Sequence, residues 1–278
     1  QSSDRATVNA WPASRAMRWA VVKLYCGSCK INVRRLSSSE MLNNPTKIWP
    51  IQWTLANFKT VLFTLKFTVN IRNSLIIAGS TTVVAIIISS LAAYGVVRFF
   101  PKLGNVMTKI LVTTYMFPSI MLVIPYAMVM AKLNLTNTRI GLMLVYLSFS
   151  VPYAVWMLVG FFKTVPIGIE EAARIDGANK LQVFVRIVLP LVAPGIAAVA
   201  MLSFMYAWNE YTYTVIFTRT AVNNTVPLAL ALLNTEDNLT NFGLVAAGGV
   251  VSVIPITLFV IFAQNYLISG LSSGAVKE

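Results

Sequence analysis

The stretch NSLIIAGSTTVVAIIISSLAAYGVV, residues 73–97, runs for 25 positions without Asp, Glu, Lys or Arg. At about 1.5 Å of rise per residue, a helix of that length exceeds the roughly 30 Å of hydrocarbon in a bilayer. It is too long for the core helix of a soluble domain, and it lacks the alternation of a barrel strand. Outward along the chain, four more runs pass the same test, at 110–131, 140–162, 187–209 and 242–268. The predicted fold class is therefore all-α, a polytopic transmembrane helical bundle.

Composition agrees. Hydrophobic residues make up 57% of the 278 positions and charged residues 11%, where soluble domains carry about a quarter charged. The net charge of +13 raises the question of nucleic acid. No basic stripe with interleaved aromatics occurs, so nucleic acid is not an expected partner, and the basic excess fits the Lys/Arg bias of cytoplasmic loops. Cys26 and Cys29 in CGSC have redox or half-zinc spacing, but without a second pair, and with no histidine in the chain, no metal site is expected.

Loop charges predict the orientation. Eight Lys/Arg fall on one side: Arg98, Lys102 and Lys109, then Lys163, Arg174, Lys180 and Arg186, then Lys277. The other side has three, Lys132, Arg139 and Arg219, with the acidic pair Glu236 and Asp237. The positive-inside rule puts the 163–186 loop and the C-terminus in the cytoplasm, and the loop from about 210 to 241 outside. Residues 1–72 fit this poorly, since their eleven Lys/Arg precede a span that starts outside.

The spans contain no Asp, Glu, Lys or Arg at membrane depth, which is where an ion-coupled carrier holds its coupling group. Histidine relays are excluded, and no Walker-type phosphate loop is present. Uphill movement of a solute would need energy from another subunit. Polar and proline residues mark a candidate path: Thr113, Thr114, Tyr115, Pro118, Ser119 and Pro125 in the second run, then Tyr146, Ser148, Ser150, Pro152 and Tyr153 in the third. Such kinks either shape packing or line a wet cavity. In FMYAWNEYTY, residues 204–213, the rings of Tyr206, Trp208 and Tyr211 crowd around Asn209 and Glu210. They form either an interfacial aromatic belt or a site for a polar neutral solute.

The polar interruption EEAARIDGANKLQVFVRIVLP, residues 170–190, is a different object. Pro166 suits a first helical turn, and Glu170 and Glu171 lie where the helix dipole favours negative charge. Glu170 with Arg174, and Asp176 with Lys180, are i,i+4 pairs of the favourable order. Ala172, Ala173 and Gly177 leave a bare face, and Gly177 allows a bend between two short helices. From the pattern alone this is either a solvated face or a face against which something packs closely.

That segment resembles the EAA loop of permease subunits of ATP-binding-cassette importers. Glu171, Ala172 and Ala173 are followed after three residues by Gly177, after nine more by Ile187, and then by Leu189 and Pro190. The stretches NSLIIAGSTTVVAI, AAYGVVRF, FPSIMLVIP, AWNEY and GLSSGAVKE resemble the carbohydrate-uptake branch, the maltose-type inner-membrane permeases. The resemblance covers residues 45–278 and implies a type I ABC importer permease-like domain in a bacterial cytoplasmic (inner) membrane, multi-pass, with a cytoplasmic C-terminus. It implies three kinds of partner: a second homologous permease, a dimeric cytoplasmic ATPase and an extracytoplasmic solute-binding protein. It also implies that this chain binds no cofactor and is not an enzyme, ATP and Mg being used by the partner ATPase. Glu170, Glu171, Ala172, Ala173, Asp176, Gly177, Ile187, Leu189 and Pro190 would meet that ATPase. The tail, with Gly270, Ser273, Gly274 and Lys277, would slip against it as an extended chain. Tyr115, Ser119, Tyr206, Trp208, Asn209 and Glu210 are the candidate substrate path. A non-sugar solute such as glycerol phosphate, or an ion-coupled secondary transporter, is the alternative. Family members begin with a membrane helix that residues 1–44 do not show, which points to a shifted reading frame, a misplaced start or a sequence error.

Overall fold

A computed structural model describes residues 55–233 and 242–274. The 1–44 segment with its CGSC pair, the acidic stretch around Glu236 and Asp237, and Lys277 lie outside these residues. In chain order the elements are α1 (Ala56–Lys59, continued by a π-helical turn Thr60–Thr64), α2 (Phe67–Arg98), α3 (Pro101–Tyr115), a 3-10 turn Ser119–Leu122, and α4 (Val123–Lys132). After them come α5 (Arg139–Lys163), α6 (Ile167–Ile175), α7 (Lys180–Leu191), α8 (Ala193–Asn209), α9 (Thr212–Phe217), α10 (Val226–Leu232) and α11 (Phe242–Gly274).

Each of the five apolar runs falls on helix, but not all as straight spans. α2, α5 and Gly243–Ala263 of α11 are long and apolar enough to cross a bilayer unbroken. The second run is broken between α3 and α4, which bend by 85°, and the fourth between α7 and α8, which bend by 75°. Proline explains both positions. Pro118 lacks an N–H and pushes Phe117 away from helical geometry, while Pro194 opens α8 in its first turn just after Val192 leaves the helix. Pro152 and Pro255, by contrast, lie inside α5 and α11 without breaking them.

The bundle is patterned for lipid. The buried face of α2 carries Asn73, Ser74, Ala78, Thr81, Thr82, Ala85, Ser89 and Ala93, while Leu75, Ile76, Val83, Ile87, Ile88 and Leu91 are exposed. Without a hydrophobic drive between helices in lipid, close backbone approach by small residues does the packing. α2 packs along α5, α8 packs against both, and α11 packs on α8. Gly195 shows how tightly: a Cβ there would collide with the ring of Phe161, so α5 and α8 touch at that point only because the residue is glycine.

Two apolar cores result. One lies at the far end and includes Phe67, Ile77, Tyr146, Trp208, Tyr213 and Phe217. The other lies at the end carrying the 163–186 loop and includes Tyr94, Leu158, Phe162, Val183 and Phe184. At the far end, Asn73 holds two loop carbonyls, Val222 at 2.6 Å and Asn224 at 3.0 Å. Asn137, in left-handed backbone geometry (φ 58°), accepts through Oδ1 from the N–H of Arg219 at 3.0 Å. These amides satisfy loop groups that would otherwise be unpaired near the membrane.

Candidate functional site: a loop clamped to the bundle, and a tyrosine-lined cavity

The 163–186 loop folds as two helices joined by an elbow. α6 stops at Ile175 by a Schellman arrangement: the N–H of Ala178 donates to Ala173 O at 3.0 Å and that of Gly177 to Arg174 O at 3.1 Å. Gly177 sits at φ +87°, where a side chain strains the backbone. Asn179 then starts α7 with a capping box, its Oδ1 accepting from the N–H of Gln182 at 2.9 Å while Gln182 Oε1 accepts from its own N–H at 2.9 Å. RIDGANKLQ thus encodes stop, turn and restart in nine residues.

Glu170 departs from expectation. It was grouped with the residues meeting a partner, yet its side chain is fully buried, facing the bundle. Arg98, at the end of α2, donates through Nε to Glu170 Oε1 at 2.5 Å and through Nη2 to Val165 O at 2.7 Å. The Tyr94 hydroxyl donates to Glu170 Oε2 at 2.8 Å. Glu170 and Ala173 form the inward face of α6, and Tyr94 packs on Phe162 and Phe184 around them. Arg174 reaches the carboxylate only at 3.9 Å, so the expected i,i+4 pair is a minor part of this clamp.

The other loop residues are distributed as follows. Glu171, Ala172, Asp176, Gly177 and Pro190 are exposed, Ile187 and Leu189 are half-buried, and Ala173 is buried. Pro166 caps α6 rather than occupying its first turn, which leaves Glu170 as the one acidic residue of that turn. Asp176 and Lys180 do not form the expected pair, because the elbow interrupts the helix between them and Lys180 lies over the Phe99 ring, 5.6 Å from its centroid. Ile175 and Leu181 are 86% and 68% exposed, so the outer face of the elbow is apolar as well as acidic. The tail also differs from expectation: Gly270, Ser273 and Gly274 belong to α11, so the chain is helical rather than extended as far as Gly274.

Of the candidate path residues, Tyr115 and Tyr206 come together. With Ser150, Tyr153 and Ser203 they line a cavity of about 160 Å³ between α3, α5 and α8. The others are elsewhere. Trp208 is buried in the far core, its ring 5.7 Å from that of Phe204. Asn209 donates to Met205 O within its own helix, and Ser119 O accepts from the Tyr213 hydroxyl at 2.6 Å. Glu210 follows the last residue of α8 and caps α9, accepting from the N–H of Tyr213 at 2.9 Å and from the Tyr146 hydroxyl at 2.9 Å. Burial pushes its carboxyl up from the ordinary carboxylate value, and the Tyr213 N–H and the Tyr146 hydroxyl oppose this. Trp208 is thus a core ring, while the half-buried Glu210 carboxylate is engaged in capping α9. Ser203 carried no sequence signal, because a lone serine in an apolar helix is commonplace.

The chain is thus a multi-pass helical membrane protein with an exposed helix–elbow–helix loop and a small cavity between its helices. Residues 85–273 match the family described as the binding-protein-dependent transport system inner membrane component, and the chain belongs to that family. It is 35% identical over 272 residues to the trehalose transport system permease protein SugB of Mycobacterium tuberculosis, a match covering 95% of this chain and 99% of that one. It is 37% identical over 227 residues to the trehalose/maltose transport system permease protein MalG of Thermococcus litoralis, covering 81% of each. In fold it resembles a chain of a bacterial ABC transporter involved in the import of the acidic polysaccharide alginate, with a TM-score of 0.74 at 20% identity over 91% of this chain and 95% of that chain. The chain is a transporter subunit rather than an enzyme.

Proposed function

We propose that this chain is one permease of an ATP-driven importer for a mono- or oligosaccharide, forming half of the translocation pathway and taking its energy from a separate cytoplasmic ATPase. The observation that carries this reading is the 163–186 loop. Glu170 is tied into the bundle, while Glu171, Ala172, Ile175 and Gly177 are left outward on a rigid elbow. An exposed face that is at once apolar, small and acidic is suited to a protein partner rather than to water. The trehalose and maltose named for the relatives supply the sugar class, and the family's description supplies the solute-binding protein. A second, homologous permease completes the pathway, ATP and Mg are bound by the ATPase, and the loop and C-terminus face the cytoplasm.

In this reading Glu171 meets a basic group of the ATPase. A rim pair in water contributes under about 1 kcal/mol, whereas a charge desolvated at an interface costs roughly 2–5 kcal/mol when its partner is lost. Glu171→Lys is expected to deplete ATPase from the purified complex and to reduce sugar uptake in proportion. Wild-type retention and uptake would place Glu171 on a solvated face.

A further inference from the structure

The end of α2 opposite the 163–186 loop borders a second cavity, of mixed polar and apolar lining. α2 is 32 residues long, about 48 Å of helix, and overshoots the roughly 30 Å of hydrocarbon, so its ends reach headgroup level. Between the π-helical turn after α1, the start of α2, the 221–224 turn and the end of α10 lies a space of about 320 Å³. Thr64, Lys66, Asn70 and Asn224 supply its polar lining. The rim is apolar: Leu65, Val222 and Leu232 line it and are 36%, 64% and 42% exposed.

The polar lining is rigid and open. Asn70 and Asn73 each donate to Asn224 O at 3.0 Å, and Asn73 also donates to Val222 O at 2.6 Å, so three amide bonds fix the 222–224 turn on α2. The Asn224 side chain, in a residue only 7% exposed, makes no hydrogen bond among the described residues, yet it is not sealed from solvent. A buried amide normally has a partner, and the space this residue borders is the cavity. Lys66 is exposed and has no acidic partner among the described residues. It is the N-cap of α2 and no side chain caps that helix, so the positive end of the helix dipole adds to its ammonium. Among the described residues, no acidic side chain lines the space. On the adjoining α1 and its π-helical turn, Lys59 and Phe63 are exposed four residues apart, as in a helix that lies in a membrane interface.

We propose that this cavity holds the headgroup of an anionic phospholipid. The phosphodiester sits at Lys66 and accepts hydrogen bonds from the Asn224 amide and the Thr64 hydroxyl, while the acyl chains run out over Leu65, Val222 and Leu232. Charge complementarity selects an anion, and an apolar rim at headgroup level selects one that carries acyl chains. At about 320 Å³ the space is at the low end of the roughly 300–1,000 Å³ of small-molecule sites, so it takes a headgroup and its glycerol rather than a whole lipid. In the orientation proposed above the lipid belongs to the outer leaflet, and the site itself is independent of that assignment.

The test uses the complete transporter in nanodiscs of phosphatidylcholine that contain a trace of phosphatidylglycerol or phosphatidylcholine with a photoreactive acyl chain, cross-links being mapped by peptide mass spectrometry. The phosphatidylglycerol probe should label Leu65, Val222 and Leu232, and unlabelled phosphatidylglycerol should suppress that labelling. Lys66→Gln should lower it about fivefold, the contribution of one cation near an anionic surface, and should leave labelling by the phosphatidylcholine probe unchanged. Lys66→Arg should restore it. Asn224→Ala removes no side-chain bond within the described residues and should lower labelling roughly three- to tenfold, the loss of one hydrogen bond. Equal labelling of these residues by both probes in the wild-type protein would reduce the site to an apolar lipid contact and overturn the proposal. Suppression by glycerol 3-phosphate as effective as that by phosphatidylglycerol would make it a soluble-phosphate site, and loss of labelling on adding the solute-binding protein, with no difference between the probes, would make it a protein-docking face; either contradicts the assignment. If Lys66→Gln does not assemble, Asn224→Ala decides, and unchanged labelling there overturns the site. No readout involves uptake, so this site and the sugar reading stand or fall separately.

Discussion

Arg98→Ala is expected to release the 163–186 loop from the membrane bundle. The substitution removes both of the bonds Arg98 makes to the loop, to Glu170 and to Val165 O, and leaves a carboxylate buried beside Tyr94 without its counter-charge. Breaking a buried pair from one side costs roughly 3–5 kcal/mol. Arg174 and Lys180 are exposed sites for trypsin on either side of the elbow. Their cleavage under limiting protease should accelerate by a factor of roughly 150 to 5,000, the same energy read as a local opening equilibrium. Because apolar replacement of a whole buried pair is often neutral, Arg98→Met combined with Glu170→Leu should recover most of the protection. Unchanged cleavage in Arg98→Ala would show that apolar packing around Phe162 and Phe184 holds the loop by itself.

Gly177→Val should uncouple transport from ATP hydrolysis even in an assembled complex. Among the described residues, no non-adjacent atom lies within 4 Å of a Cβ placed at Gly177, so the effect is not an internal clash. It is conformational: at φ +87° a β-branched residue costs on the order of 1–3 kcal/mol, and relaxing that strain turns α6 relative to α7. Gly177→Asn separates the two causes, since Asn tolerates left-handed geometry far better than Val. If strain alone matters, Asn should retain most uptake while Val loses most of it. Equal loss in both would point to a partner surface pressed against the glycine, and full uptake by Val would remove the elbow from the coupling path. Comparing ATPase activity with uptake in proteoliposomes makes the distinction.

The positions of the five apolar runs and of the glycine bend were readable from composition and spacing, because lipid demands long uncharged helices and a positive φ demands glycine. What the one-dimensional pattern could not give was direction. Glu170 and Glu171 are adjacent and chemically alike, yet a helix turns them about 100° apart, so one is buried under α2 and the other faces outward. The clue to Glu170 lay 76 and 72 residues earlier, in Tyr94 and Arg98 one turn apart at the end of a span, and nothing local to the loop pointed there. The breaks in the second and fourth runs are hard to read from sequence for a related reason. Proline marks a possible kink, but Pro118 and Pro194 accompany breaks while Pro152 and Pro255 do not, and the surrounding packing makes that difference. Trp208 is ambiguous in sequence because an aromatic near a span end fits a belt, a solute site and a core equally well until its neighbours are known.

The central claim is that this subunit moves sugar on energy delivered through its loop by a separate ATPase. It is tested most directly by loading purified complex into proteoliposomes with labelled trehalose or maltose outside and ATP within the reach of the ATPase. A catalytic-site substitution in the ATPase should abolish uptake, and a protonophore should leave it unchanged. Uptake that survives the ATPase substitution and collapses with the protonophore would contradict the account and identify an ion-coupled carrier.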